Sequence, residues 1–281
     1  MNIACPTVRR VPNLALGPTE LYYERRGNGP ALLLVQGMGA NCLHWGEPFL
    51  KALERDFELV LYDHRGIGRS GPPEGDLTIA VLAQDALALL DALDVERAHV
   101  LGISMGGMVA QELALLAPQR VRTLTLGCTS CGGTQSRPTS PAVIQRLTAA
   151  VLSGDFDRVL RTGFELVVSP AHASDPLHFA AFAAAAKHFP VSLPVLMDQK
   201  IAIEAYDAYA RLRTIRIPAL VIHGTADEML AAINGDLVAS LIPGARLALL
   251  NGAGHLFFWE QPQRSADLVR DFALGAGVPS G

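Results

Sequence analysis

Ser104 is the residue whose surroundings point most directly to chemistry. It stands in Gly102-Ile103-Ser104-Met105-Gly106, with Gly107 next. The apolar run Ala98 to Ile103 has strand length, and Met105, Met108, Val109 and Leu113 then recur at helical spacing up to Pro118. A strand that hands over to a helix this abruptly needs a strained turn, and Gly102 and Gly106 remove the side chains that would clash across it. Ser104 is lifted out at the carboxyl end of its strand, with the Met105 amide and the helix N-terminus close by. A serine so placed reads as a nucleophile; the alternative is a glycine-rich loop without chemistry. Serine is a poor nucleophile until a base takes its proton during attack, and histidine can do so near neutral pH. His255 follows the glycine-rich turn Asn251-Gly252-Ala253-Gly254, and Gly224-Thr225-Ala226-Asp227-Glu228 offers two acids after another apolar run. In Gln36-Gly37-Met38-Gly39-Ala40-Asn41 two glycines open a loop in which the Met38 amide could serve an oxyanion.

These residues need a sheet to bring them together. Leu21 to Glu24 reads as an early strand, and Ala31 to Val35 is an uninterrupted apolar run, as in a strand buried on both faces. A short helix over Gly46 to Arg55 and a strand over Phe57 to Tyr62 follow. Thr78 to Leu93 is an amphipathic crossover helix with Thr78 as N-cap. With the strand to Ile103, its helix and the strand Arg122 to Gly127, the alternation implies a parallel sheet covered on both faces. From about Gly132 to Arg213 the pattern changes to roughly four short, alanine-rich helices punctuated by Xaa-Pro pairs. They carry apolar residues such as Phe164, Phe179, Phe182 and Leu196 and read as a lid over the carboxyl ends of the strands, where open α/β sheets place ligands. The sheet resumes over Ile217 to His223 and Ala245 to Leu250, and a closing helix runs from Gln261-Pro262 to about Leu274. The expected division is a core over 1–131 and 214–281, with a helical cap over 132–213.

Composition narrows the function. The 281 residues are half hydrophobic, and 23 Lys and Arg against 27 Asp and Glu leave a net charge of −4 without long runs of one sign. Electrostatic capture of nucleic acid is not suggested, and a small, largely apolar substrate fits better. Charges interrupt every apolar stretch before it reaches membrane-span length, and Met1 to Asn13 lacks a signal-peptide core, so a cytoplasmic protein without a membrane partner is expected. Four cysteines are too few for a disulfide framework. Cys128-Thr129-Ser130-Cys131 has no second pair or histidine cluster nearby to complete a zinc site, so ordinary thiols at a strand end are expected. His172, His178 and His188 read as surface or cap residues, and Asp63, His64 and Arg65 as a charged turn that locks its own loop. No metal or cofactor is expected, and the oligomeric state is left open.

Ser104, Asp227 and His255 fall at one sheet edge in the order nucleophile, acid, base. With Leu34-Val35-Gln36-Gly37-Met38-Gly39, Tyr62-Asp63-His64-Arg65-Gly66-Ile67-Gly68-Arg69-Ser70, Gly102 to Gly107, His223 to Asp227 and Gly252 to His255, the chain resembles the α/β-hydrolase fold superfamily over essentially its whole length. The resemblance implies that Ser104 attacks an acyl carbon, His255 takes its proton, Asp227 orients the imidazole, and the Met38 and Met105 amides hold the oxyanion. Glu228 is the competing acid. Gln36 stands where family members often have His, which should alter the pocket rim and spare catalysis. The chain is similar to the carboxylesterase, 3-oxoadipate enol-lactonase and cofactor-free haloperoxidase branches, which implies a serine hydrolase of esters or lactones. Cleavage of a carbon-carbon bond in a diketone, or a receptor without turnover, are the alternatives. Ile103 before Ser104 and Leu256 after His255 depart from the pattern of the carbon-carbon hydrolases.

Overall fold

The computed structural model describes residues 13–16, 19–73 and 75–275; Cys5 and most of the Met1 to Asn13 stretch lie outside them. Strands β1 (Leu14–Leu16), β2 (Thr19–Leu21), β3 (Tyr23–Arg26) and β4 (Ala31–Val35) come first. Then come α1 (Glu47–Leu53), β5 (Glu58–Tyr62), α2 (Ile79–Ala92), β6 (Ala98–Ile103), α3 (Met105–Leu116) and β7 (Val121–Gly127). Five helices follow: α4 (Pro141–Leu152), α5 (Phe156–Val167), α6 (Pro170–Ala173), α7 (Pro176–His188) and α8 (Leu193–Ala205). The chain closes with β8 (Ala219–Gly224), α9 (Ile233–Leu241), β9 (Arg246–Leu250), α10 (Phe257–Glu260) and α11 (Pro262–Gly275).

β1 and β2 pair with each other, and the other seven strands form one sheet in the order β3-β5-β4-β6-β7-β8-β9. β3 runs antiparallel to β5, and every other pair in that sheet is parallel. The apolar runs are uninterrupted because alternate side chains enter different cores. Leu33, Val35, Val60 and Val100 pack under α2, α3 and α9, while Leu32, Leu34, Leu59, Leu61, Leu101 and Ile103 pack under α1, α10 and α11. Thr78 caps α2 as expected, its Oγ1 accepting the Val81 amide at 3.1 Å.

Three local features differ from the sequence reading. The early strand divides at Tyr22, whose amide donates to Ser70 Oγ at 2.9 Å and whose carbonyl accepts from the Asp63 amide at 3.0 Å. The α4 to α8 segment holds five helices rather than four, because the single-turn α6 occupies the Ser169-Pro170 punctuation, with Ser169 as its N-cap. Helix α9 was not anticipated; it is the crossover that two adjacent parallel strands, β8 and β9, require.

Helices α4 to α8 enter and leave at one place: Gly132 and Asp207 form an antiparallel bridge, and the Gly133 amide donates to the Tyr206 carbonyl at 3.0 Å. Within the helical segment Phe164 is fully buried among Phe179 and Phe182, while Leu152, Leu177 and Ile201 are exposed, so its apolar content is only partly turned inward. No single described helix is long and apolar enough to cross a membrane.

Candidate active site

Because β4, β6, β7, β8 and β9 are parallel, everything just beyond their carboxyl ends gathers along one edge. Ser104 sits there between β6 and α3 with φ 56° and ψ −122°, the left-handed conformation expected of a residue at so sharp a turn. The strain is held in place. Its amide donates to the Gly127 carbonyl at 2.9 Å, and its carbonyl accepts from the Gly107 amide at 2.9 Å and Thr129 Oγ1 at 2.7 Å. The flanking glycines are obligatory: a Cβ at Gly102 would lie 2.1 Å from the Gly106 carbonyl oxygen, and one at Gly106 2.1 Å from that of Val35. The side chain is half-buried.

The loop after β4 lies against it. A Cβ on Gly37 would fall 3.2 Å from Ser104 Cβ and 3.8 Å from its Oγ. In this loop the Gly37 amide donates to Gln36 Oε1 at 2.9 Å, Gly39 to Gln199 Oε1 at 2.8 Å and Ala40 to the Gly37 carbonyl at 3.3 Å. Among the described residues the Met38 and Met105 amides make no such bond.

His255 Nδ1 lies 2.7 Å from Asp227 Oδ2, and both residues are buried. Asp227 Oδ1 accepts the Leu230 amide at 2.9 Å. Burial alone would raise the Asp227 carboxyl; the charge of His255 and the hydrogen bonds from His223 and His255 outweigh it and hold the group well below the usual carboxylate range. Glu228, the competing acid, is exposed beside Arg146 at 3.5 Å. Of the two acids, only Asp227 is bonded to the histidine. Glu260 secures the His255 turn, taking the Gly254 amide at 2.7 Å and the Ser169 amide of the helical segment at 3.1 Å.

Other expectations resolve in the same detail. Asp63 accepts the Cys42 amide at 2.7 Å and the Arg69 amide at 3.0 Å, and Arg65 pairs with Asp85, so this turn does lock its loop. His172 and His178 stack on each other with ring centroids 3.7 Å apart, and His188 packs edge-on to Phe189. The two cysteines of Cys-x-x-Cys part company: Cys131 Sγ meets Ser136 Oγ at 3.3 Å, while Cys128 lies with Asp227 and His255, one ligand-type atom from each within 4.8 Å of the others. These three are the donors a cation could use. Burial pushes the Cys128 thiol well up, and Asp227 and His255 already bond each other, so the set is poorly disposed to take one.

Three buried residues around the site carry no site role in the sequence reading. His223, near the end of β8, has Nε2 3.2 Å from Asp227 Oδ2. Its signal was a ring nitrogen within an apolar run, four positions before the acid. Gln199, fully buried in α8, meets the Gly39 amide 160 positions away and had no local signal, while Cys128, read as an ordinary thiol of the Cys-x-x-Cys stretch, lies with Asp227 and His255.

Comparison with known proteins agrees with the architecture. Residues 30–179 match the model of the alpha/beta hydrolase fold family. A protein of Azorhizobium caulinodans provisionally named carbamate hydrolase RutD is 32% identical over 263 residues, covering 92% of this chain and 95% of that protein. The crystal structure of a hydrolase from Pseudomonas aeruginosa PA01 superposes with TM-score 0.80 at 35% identity, covering 97% of this chain and 100% of the other. An enol-lactonase from Burkholderia xenovorans LB400 gives TM-score 0.82 at 28% identity, covering 94% and 100%. With its parallel sheet, its serine turn and these relatives, this chain is a hydrolase and belongs to the alpha/beta hydrolase fold family.

Proposed function

We propose that the chain is a serine hydrolase that cleaves a carboxylic ester or lactone of a small, largely apolar molecule through a Ser104-His255-Asp227 triad and an acyl-enzyme. The observation that carries this reading is the 2.7 Å bond between His255 Nδ1 and Asp227 Oδ2 at the sheet edge that holds Ser104 in its strained turn. With Nδ1 committed to the acid, Nε2 is the ring nitrogen available to the serine. It takes the proton as Ser104 Oγ attacks the carbonyl carbon, then returns it to the leaving alcohol. Asp227 fixes the tautomer and balances the imidazolium. The Met38 and Met105 amides meet the oxyanion, each donor worth about 3 kcal/mol in the transition state. Water, activated by the same histidine, releases the acid. Residues 132–213 act as the lid, and the enzyme works in the cytoplasm on a small molecule, without nucleic acid or membrane.

A carbamate is the second reading, favoured by the Azorhizobium relative's name. Its carbonyl carbon accepts the same attack, so the two readings differ only in the leaving group and in what flanks the carbonyl. Hydrolysis of 4-nitrophenyl acyl esters over a chain-length series, beside Ser104→Ala and His255→Ala, tests the first. Turnover by the native protein and losses of several orders of magnitude in both variants are expected. A folded native protein inert on every ester and lactone, or an active Ser104→Ala, refutes it.

A further inference from the structure

His223 lies in β8 with no exposed surface, and its imidazole is not part of the triad. Its Nε2 is 2.8 Å from the Leu230 carbonyl oxygen and 3.2 Å from Asp227 Oδ2. A carbonyl and an ionised carboxylate only accept, so Nε2 carries the hydrogen and shares it between them. Nδ1 is buried without a partner among the described residues. It faces Gly235 of α9, where a Cβ would come within 2.7 Å of it. A proton on Nδ1 would have no acceptor among the described residues, whereas one on Nε2 has two, so the geometry favours the Nε2–H tautomer. The contacts close a ring: Leu230 donates its amide to Asp227 Oδ1 and offers its carbonyl to His223, which donates in turn to Asp227 Oδ2.

Taking the triad reading as its basis, we propose that His223 is a positioning residue that shares Asp227 Oδ2 with His255, fixing the carboxylate and limiting how strongly it favours the His255 imidazolium. Two donors on one oxygen divide its charge. Removing the His223 donor leaves more for His255 and makes its imidazolium harder to deprotonate. Among the described residues, the other titratable groups facing this corner are the Cys128 thiol, held neutral by burial, and Glu260, bonded to the amide of Gly254. Glu228 turns outward to Arg146.

The test compares His223→Phe, which removes the donor, with His223→Gln, whose side-chain N–H reaches about as far as Nε2, using kcat, KM and the pH dependence of kcat/KM. In His223→Phe kcat falls roughly tenfold, KM stays within about twofold, and the acid limb moves up by about half a pH unit. His223→Gln stays near the native profile. An unmoved acid limb in folded His223→Phe, or a Gln variant that behaves like the Phe variant, overturns the proposal. Nitrogen-15 NMR of histidine-labelled native protein needs no variant to fold: the His223 ring should carry its hydrogen on Nε2, and an Nδ1–H tautomer overturns the proposal. Asp227→Asn, assayed in parallel, separates the two levels. A fully active Asp227→Asn refutes the triad, whereas an inactive one beside an unmoved His223→Phe profile removes His223 alone.

Discussion

Gln199→Met should separate activity from stability. Gln199 reaches from α8 into the loop beside Ser104, where its Oε1 accepts the Gly39 amide at 2.8 Å, and it is fully buried. Gly39 has φ +70°, and Leu196 of the same helix lies so close that a Cβ on this glycine would come within 2.8 Å of its Cδ2. The helical segment therefore grips the loop one residue from Met38. Methionine keeps the length of the side chain and removes both its polar groups. Losing the acceptor leaves the half-buried Gly39 N–H without its partner, at a cost of about 1 kcal/mol. Losing the amide nitrogen, which has no partner among the described residues, returns a similar amount. The two nearly cancel, so Tm should stay within about 3 °C of the native value. Catalysis has no such compensation. Full loss of an oxyanion donor costs roughly 10²–10³ in kcat, and a loop that has lost one of several tethers should forfeit roughly 10–100-fold. Stopped or steady-state assays on a 4-nitrophenyl ester give kcat and KM, and calorimetry gives Tm. An unchanged kcat with only KM raised would mean that the Met38 amide needs no help from the helices, or does not meet the oxyanion.

Other perturbations test the fold that carries the site. His44 is buried, and burial lowers its pKa from 6.5 to about 4. Between those values the unfolded chain binds a proton that the folded one does not, so stability falls with pH, by about 2 kcal/mol from pH 7 to pH 5; urea titrations at the two pH values should show this, and His44→Gln should flatten it. Gly106→Ala should abolish folded protein, because its Cβ would meet the Val35 and Gln36 backbone oxygens at 2.1 and 2.4 Å; recovery of a folded, active variant would deny that the turn is so tight. Gly163→Ala, in the interior of α5 with nothing within 4 Å of the new methyl, should instead stabilise by about 0.5–1 kcal/mol, read as a higher Tm.

The sheet was legible because burial on both faces leaves no freedom in composition. Ala31 to Val35 and Ala98 to Ile103 coincide with β4 and β6, since most of their side chains enter one of two cores. The turn at Ser104 was legible for a related reason: only glycine fits at 102 and 106, and the two bracket the serine in sequence as they do in space. Helix α9 escaped because it is short and its apolar stripe weak, although the parallel pairing of its neighbours demands a crossover there. Tyr22 escaped because its partners, Ser70 and Asp63, lie in a distant loop.

The supporting contacts of the site were illegible for a deeper reason. Asp227 and His255 stand out as chemical types on glycine-rich turns, so each could be suspected alone. His223, Gln199 and Cys128 matter through which atom each presents to a neighbour brought near by folding. A histidine four residues before an aspartate on a strand end can point anywhere; only the packing of Gly235 against Nδ1 and the position of the Leu230 carbonyl turn its Nε2–H toward the acid. Gln199 is one of several polar residues in α8, and it touches the loop beside Ser104 because the inserted helices are pinned at Gly132 and Asp207 and lie over Gly39 and Gly66. The candidate reacting residues follow from motifs, whereas their restraint follows from how the inserted helices and α9 press on three loops. Variants in those helices should therefore alter rate and pH dependence more than they alter the fold.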